Sequence, residues 1–102
     1  MKKLKIYLDN TDTYSSMPLW KYLLKEATAK ELQGATVYKA VAGVGSHKEL
    51  HIFDMLTLSA TLPLVIEIID TKEKIISFTE AAKEALKNCF VTLSDIEVLD
   101  FK

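Results

Sequence analysis

Residues Leu62 to Ile69 read Leu-Pro-Leu-Val-Ile-Glu-Ile-Ile, the longest strongly apolar stretch in the chain. The run is of strand length, contains Pro63 and Glu67, and falls far short of the roughly 20 apolar residues that a membrane helix needs. Such a run predicts a central β-strand covered on at least one face. The rest of the chain must supply that cover and the neighbouring strands. At 102 residues there is room for one domain, residues 1–102, and none for a second of ordinary size.

The flanking patterns complete the set of elements. Leu4, Ile6 and Leu8 alternate with Lys5, Tyr7 and Asp9, the period of two of a strand with one face inward. Asn10 to Ser16 is polar and rich in turn formers, which predicts a loop. Ser16 is placed to cap a helix with Pro18 in its first turn, and Leu19, Trp20, Leu23, Leu24 and Ala27 then share one helical face. Gly34 suits the left-handed residue that ends such a helix. Ala35 to Ala42 reads as a second strand, broken by Gly43-Val44-Gly45. Residues 46–61 fit no single pattern, being too apolar for a solvated loop, and part of them is expected to fold back on the sheet around a mobile tip near Ser46 to Glu49.

After the apolar run, Asp70-Thr71-Lys72-Glu73 has the spacing of a capping box. Ile75, Phe78, Thr79, Ala82 and Leu86 continue at helical spacing, and Asn88 is suited to stop that helix. Phe90 to Leu93 and Ile96 to Phe101 are strand-like, with Ser94-Asp95 as a turn or bulge between them. The order strand, helix, strand, long connection, strand, helix, strand predicts an α+β, ferredoxin-like βαββαβ sandwich with two helices on one face of an antiparallel sheet. Its other face carries residues such as Tyr7, Tyr38, Val65 and Ile69. Covering that face with copies of the same chain gives a closed homo-oligomer.

Charge and cysteine content narrow the function classes. Thirteen Lys against fourteen Asp and Glu leave a net charge of −1, and the chain has no Arg. That is no footprint for nucleic acid, whose phosphates and guanines are read largely by guanidinium groups. The lone Cys89 allows no internal disulfide and suits a reducing cytoplasm. It reads as a small buried hydrophobe rather than a nucleophile. The N-terminal Met-Lys-Lys-Leu-Lys lacks the apolar core of a signal peptide, and no stretch is long enough to embed the chain in a membrane. Two His and one Cys, with no local nucleophile–base pair, narrow the options for acid–base or covalent chemistry.

Several segments together resemble a known family: Lys5-Ile6-Tyr7-Leu8, Pro18-Leu19, Gly34-Ala35-Thr36-Val37, Gly43-Val44-Gly45, His51, Leu58-Ser59, and Leu62 to Asp70 followed by Glu73-Lys74-Ile75. They are similar to domain-of-unknown-function family 190, over roughly residues 3 to 101, and that family is similar to PII-like signalling proteins. The resemblance implies a regulatory homotrimer of ferredoxin-like subunits rather than an enzyme, with a small effector, nucleotide or anionic, bound in clefts between subunits. It further implies that Gly43 to Leu62 corresponds to a loop that contacts a protein partner such as an enzyme or a transporter. PII proteins carry an Arg- and Gly-rich phosphate-holding segment after the third strand. Here Ile69-Asp70-Thr71-Lys72-Glu73-Lys74 stands there, with neither residue. No cofactor is assigned.

The candidate ligand residues are Lys39, Gly43, Val44, Gly45, His51 and Glu67. Gly43 and Gly45 flank Val44 directly after a strand, and either bring backbone N–H groups to an anion or serve a sharp exit from the strand. Lys39 lies in a strand and reaches an anionic ligand in a subunit cleft or snorkels to solvent. Glu67, inside the apolar run, pairs with Lys39 or Lys5 on a neighbouring strand, faces a cleft as an acceptor, or is solvated. His51 falls on a family position as a ligand contact or hydrogen-bonding group. His47 and His51, four apart near Glu49 and Asp54, form the alternative, a divalent-metal site like those of divalent-cation tolerance proteins that share this fold. Trp20 and Phe78 read as core, and Asp9, Asp12, Ser15 and Ser16 as turn and capping residues.

Overall fold

A computed structural model of the protein describes residues 1–44, 50–52 and 61–101. Along the chain run β1 (Lys2–Asp9), β2 (Thr13–Tyr14), β3 (Met17–Pro18), α1 (Leu19–Ala29), β4 (Gly34–Lys39), β5 (Ala42–Val44), β6 (Leu50–Ile52), β7 (Pro63–Asp70), α2 (Lys72–Ala81) and β8 (Phe90–Asp95). Four strands form one antiparallel sheet in the order β4–β7–β1–β8. The connection through α1 skips β7, and the connection through α2 skips β1. This is the split βαβ arrangement of a ferredoxin-like α+β fold, as the order of elements predicts.

The core forms where two periodicities meet. Leu4, Ile6 and Leu8 of β1 and Leu64, Ile66 and Ile68 of β7 point to the helix side. Leu19, Leu23 and Ala27 of α1, with Ile75 and Phe78 of α2, close over them, and Ala82 and Ala85 extend the same layer. Phe78, Ile6, Leu23 and Ile66 are wholly buried, each contributing about 1.5–3 kcal/mol of transfer free energy. Trp20 packs at the edge of this cluster rather than in it.

The helix ends differ from the sequence expectations. Pro18 occupies the position before α1 and no side chain caps the helix. Ser15 and Ser16 instead form the tip of the β2–β3 hairpin, at φ 53° and 64°. Two successive positive φ values are what a tight two-residue hairpin turn requires, so the predicted loop is a hairpin. Glu31, not Gly34, takes the left-handed position after α1, at φ 56°. Glu31 N donates to Thr28 O and Leu32 N to Ala27 O, the paired bonds of a Schellman motif, with Leu32 packed on the core. Gly34 is thereby left to begin β4.

At α2 the cap is Thr71, whose hydroxyl accepts from Lys74 N. Asp70 is not the cap but the last residue of β7, 1% exposed. Its carboxylate accepts from Gln33 N at 2.8 Å and from Thr71 N at 2.6 Å, and so ties the exit of β7 to the segment entering β4. α2 ends at Ala81 and relaxes into turns over 82–88, with Asn88 outside the left-handed region. Ser94 and Asp95 belong to β8 rather than to a turn. Residues 96–101 form no strand; Ile96 N donates to Met1 O at 3.2 Å and the chain then leaves the sheet.

Candidate ligand-binding corner and open sheet face

The face of the sheet away from the helices is built in register rows. Tyr38 of β4, Val65 of β7, Tyr7 of β1 and Phe90 of β8 lie side by side across all four strands. The rings of Tyr7 and Phe90 tilt against each other at 5.6 Å. Tyr7 is 39%, Tyr38 49% and Phe90 68% exposed, and no described residue covers them. The next row is Thr36, Glu67, Lys5 and Thr92. Phe90 is legible in the sequence only as a strand residue; its place in the aromatic row comes from the register with Tyr7.

Register also sorts the candidate residues. Glu67 stands opposite Lys5, its neighbour on the same face. Lys39 pairs in register with Leu64, a core residue, and therefore projects to the helix side, away from Glu67. Of the two partners proposed for Glu67, only Lys5 shares its face.

A second feature gathers at the end of the sheet where β7 begins. Asn10 N donates to Leu62 O at 2.9 Å, and Leu62 N donates to Asn10 Oδ1 at 2.8 Å. This two-bond clasp joins the exit of β1 to the entry of β7. Ala40 N donates to Pro63 O at 2.9 Å from the other side. The hairpin of β5 and β6 then rises from the same corner, with Gly43 paired to His51 and Val44 to Leu50. A Cβ on Gly43 would stand 3.0 Å from Pro63 Cγ, so any side chain there obliges the ring to give by a few tenths of an ångström. No described glycine has positive φ, so close approach to Pro63, not backbone strain, is what favours Gly43. Val44 is exposed.

Lys39, Gly43, Val44 and the backbone of His51 thus meet at one corner. Glu67 lies four residues along β7 from Pro63, roughly 13 Å away at strand rise. Gly45 and His47 lie outside the described residues, as does the side chain of His51. Among the described residues no cluster of three His, Cys, Asp or Glu is placed to hold a metal ion. A single residue, Thr71, joins β7 to α2, between a buried Asp70 and the first turn of the helix.

Ionisable groups elsewhere are tuned by packing. Burial, with Asp12 adding to it, pushes the Cys89 thiol up to about 11, which keeps it protonated and poorly nucleophilic at neutral pH. Desolvation, and then Glu26 and Tyr14, raises the Tyr22 phenol. A hydrogen bond from Lys2 lowers the carboxyl of Asp95.

Residues 1–98 match the model of domain-of-unknown-function family 190, DUF190, described as an uncharacterized ACR. The chain is a DUF190 protein. It is 41% identical over 98 residues to a UPF0166 protein of Aquifex aeolicus, covering 96% of this chain and 92% of that one. A UPF0166 protein of Methanocaldococcus jannaschii is 36% identical over 87 residues, covering 85% and 80%. Among solved structures, the fold is similar to CPII of Thiomonas intermedia K12, a nitrogen regulatory PII-like protein bound to ADP, AMP and bicarbonate. The TM-score is 0.68 at 18% identity, covering 97% of this chain and 92% of that one. It is also similar to a PII-like signaling protein of Thermus thermophilus, at TM-score 0.59 and 18% identity, covering 91% and 81%. The DUF190 chain thus has the PII-like ferredoxin fold. No helix of its described residues is long and apolar enough to cross a membrane.

Proposed function

We propose that this DUF190 protein is a non-enzymatic, cytoplasmic PII-like regulatory subunit that works as a homotrimer. A small nucleotide or anionic effector binds in the clefts between its subunits, and the segment 43–62 carries the response to a protein partner. The observation that carries this reading is the aromatic row Tyr38, Val65, Tyr7 and Phe90, which crosses every strand of the sheet on a face that the two helices leave open. Self-association of three such faces removes the row from water and creates clefts at the sheet ends. CPII, whose fold is similar, holds ADP, AMP and bicarbonate, which supports ligands of that class.

The geometry shapes how such a ligand is held. The turn after β7 has neither Gly nor Arg, and its Asp70 carboxylate is turned inward. Anion contacts therefore fall to the other corner, with Lys39, Gly43, Val44 and the backbone of His51 at the hairpin foot and Gly45, outside the described residues, as a further candidate, while Glu67 on the open face serves as a hydrogen-bond acceptor for the ligand. Native mass spectrometry gives the subunit count, and calorimetry with ADP, AMP and bicarbonate reads the site. A trimer that binds one of these, with Lys39→Ala weakening it at least tenfold, is the expected result. A monomer at micromolar concentration that none of the three ligands stabilises overturns the reading.

A further inference from the structure

The open face of the sheet carries charges as well as rings, and the charges balance. Lys3, Lys5 and Asp9 of β1 and Glu67 of β7 lie on this side, two of each sign, and the residues that β4 and β8 add to it are uncharged. Lys5 and Glu67 stand side by side in the row next to the aromatic one, about 7 Å along the strands, flanked by Thr36 and Thr92. Both are half-buried.

Directly opposed residues of an antiparallel pair have Cβ atoms about 4.5–5.5 Å apart, near enough for these two side chains to meet. They do not engage each other. Among the described residues neither forms an ion pair or a side-chain hydrogen bond, so both remain available to whatever covers the face. Closing the aromatic row away from water closes this row with it. A charge taken out of water without a partner is costly, so the covering surface must supply an opposite charge to each.

We infer that Lys5 of one subunit pairs with Glu67 of the next when the open faces come together, and that this crossed pairing sets the order in which copies assemble. Charge complementarity selects a second copy as the occupant, because a face with one ammonium beside one carboxylate, and no net charge, is complementary to itself. The two charges are also ordered across the sheet. Glu67 lies toward the β4 edge and Lys5 toward the β8 edge. A ring that turns the β8 side of each subunit to the β4 side of its neighbour brings Lys5 to Glu67 at every contact. Joining like sides instead sets Lys5 against Lys5 and Glu67 against Glu67, which repel. A carboxylate has several lone-pair sites, so the pairing leaves Glu67 able to accept from an effector as well. This pairing rests on the oligomer proposed above and supplies its direction.

Sedimentation equilibrium of full-length charge variants tests it. Lys5→Glu alone and Glu67→Lys alone are each expected to raise the half-assembly concentration about tenfold or more, and the two in one chain to return it to within about threefold of wild type. Mixing the two single variants, one of them isotope-labelled, is expected to give mixed oligomers in native mass spectrometry at concentrations where each alone is monomeric. Single variants that assemble as the wild-type chain does overturn the pairing and leave the sheet-mediated trimer standing. Rescue in the double variant without mixed oligomers overturns it as well, by placing the pair within one subunit. Where thermal melting shows that a reversed charge unfolds the subunit, Lys5→Gln and Glu67→Gln carry the test: together they are expected to weaken assembly clearly less than the two single effects combined, and additive effects overturn the pairing. A wild-type monomer overturns the pairing and the trimer together.

Discussion

If the proposed trimer forms through the open sheet face, replacing both Tyr7 and Phe90 with Thr should dissolve it while leaving the subunit folded. With about 200 Å² per aromatic side chain, the exposed fractions of Tyr7, Tyr38 and Phe90 amount to roughly 300 Å² of ring surface on each open face. At about 25 cal/mol/Å² that is about 8 kcal/mol per subunit if all of it is covered. Tyr7 and Phe90 account for about two-thirds of it. Association does not realise transfer energies in full, because ordering and imperfect desolvation oppose them. Taking half, and allowing for the methyl that Thr retains, the double substitution costs about 2 kcal/mol per subunit and about 6 kcal/mol per trimer. At 1.4 kcal/mol per tenfold, the half-assembly concentration of a trimer then rises about a hundredfold. Within one subunit the loss is mainly the Tyr7–Phe90 ring pair, about 1 kcal/mol, which lowers Tm by roughly 4–8 °C. Thr favours strands, so the sheet is kept. Sedimentation equilibrium across a concentration series measures the shift, and thermal melting of the dilute protein measures the fold. A double variant that assembles at the wild-type concentration refutes the placement of this row at the interface.

Two further outcomes follow from buried groups. Asp70→Ala removes a carboxylate that accepts two backbone N–H groups, and should cost about 2–4 kcal/mol, seen as a fall in Tm of roughly 10–25 °C, with Asp70→Asn losing about half as much; a loss under about 1 kcal/mol would show that water replaces the carboxylate. Cys89 should react with iodoacetamide at pH 8 about a hundredfold more slowly than a thiol of ordinary pKa 9.0, its rate still climbing toward pH 11. Because folding raises this thiol, its contribution to stability is intact below about pH 9 and is lost as pH rises to about 11, where the folded form also ionises. A reaction rate that levels off near pH 9 contradicts the burial of that thiol.

The layers of the fold were readable because apolar periodicity reports burial directly. β1 shows it plainly, since Lys5 and Tyr7 interrupt Leu4, Ile6 and Leu8. β7 hides it, because Val65 and Ile69 on the open face are as apolar as Leu64, Ile66 and Ile68 in the core. Only Glu67 marks the difference, and which neighbours share its face depends on register, which a one-residue slip inverts. That is why Lys39 and Lys5 were equivalent partners in the sequence and are not in the sheet.

Local signals failed where a tertiary contact outweighed them. Glu31 takes a left-handed conformation although Gly34 stands three residues on. Leu32 must reach the core, and Lys74 Nζ donates to Glu31 O at 3.0 Å, which holds the turn from outside. Asp70 has the better capping spacing, yet its carboxylate serves Gln33 across the sheet, so Thr71 caps in its place. The Ser15–Ser16 turn carries none of the Asn-Gly or Gly-Gly chemistry that announces a tight hairpin, and its strands are two residues long. The candidate corner was legible in its glycine but not in its reason, since the ring that crowds a side chain at position 43 belongs to Pro63, twenty residues later.

That contact joins the candidate corner to the open sheet face. Pro63 and Val65 lie on the same face of β7, two residues or roughly 7 Å apart. Gly43 packs on the first, and the aromatic row passes through the second. Asn10 and Ala40 fix the entry of β7 from both sides, so a shift of the β5–β6 hairpin cannot be absorbed by sliding that strand. It must appear either in the hairpin itself or at Pro63, beside the aromatic row. In the trimer proposed here, a ligand at the hairpin foot therefore biases both the partner-contacting segment and the subunit packing. Any substitution that enlarges residue 43 should loosen the two together, with ligand affinity and trimer stability falling in the same variant.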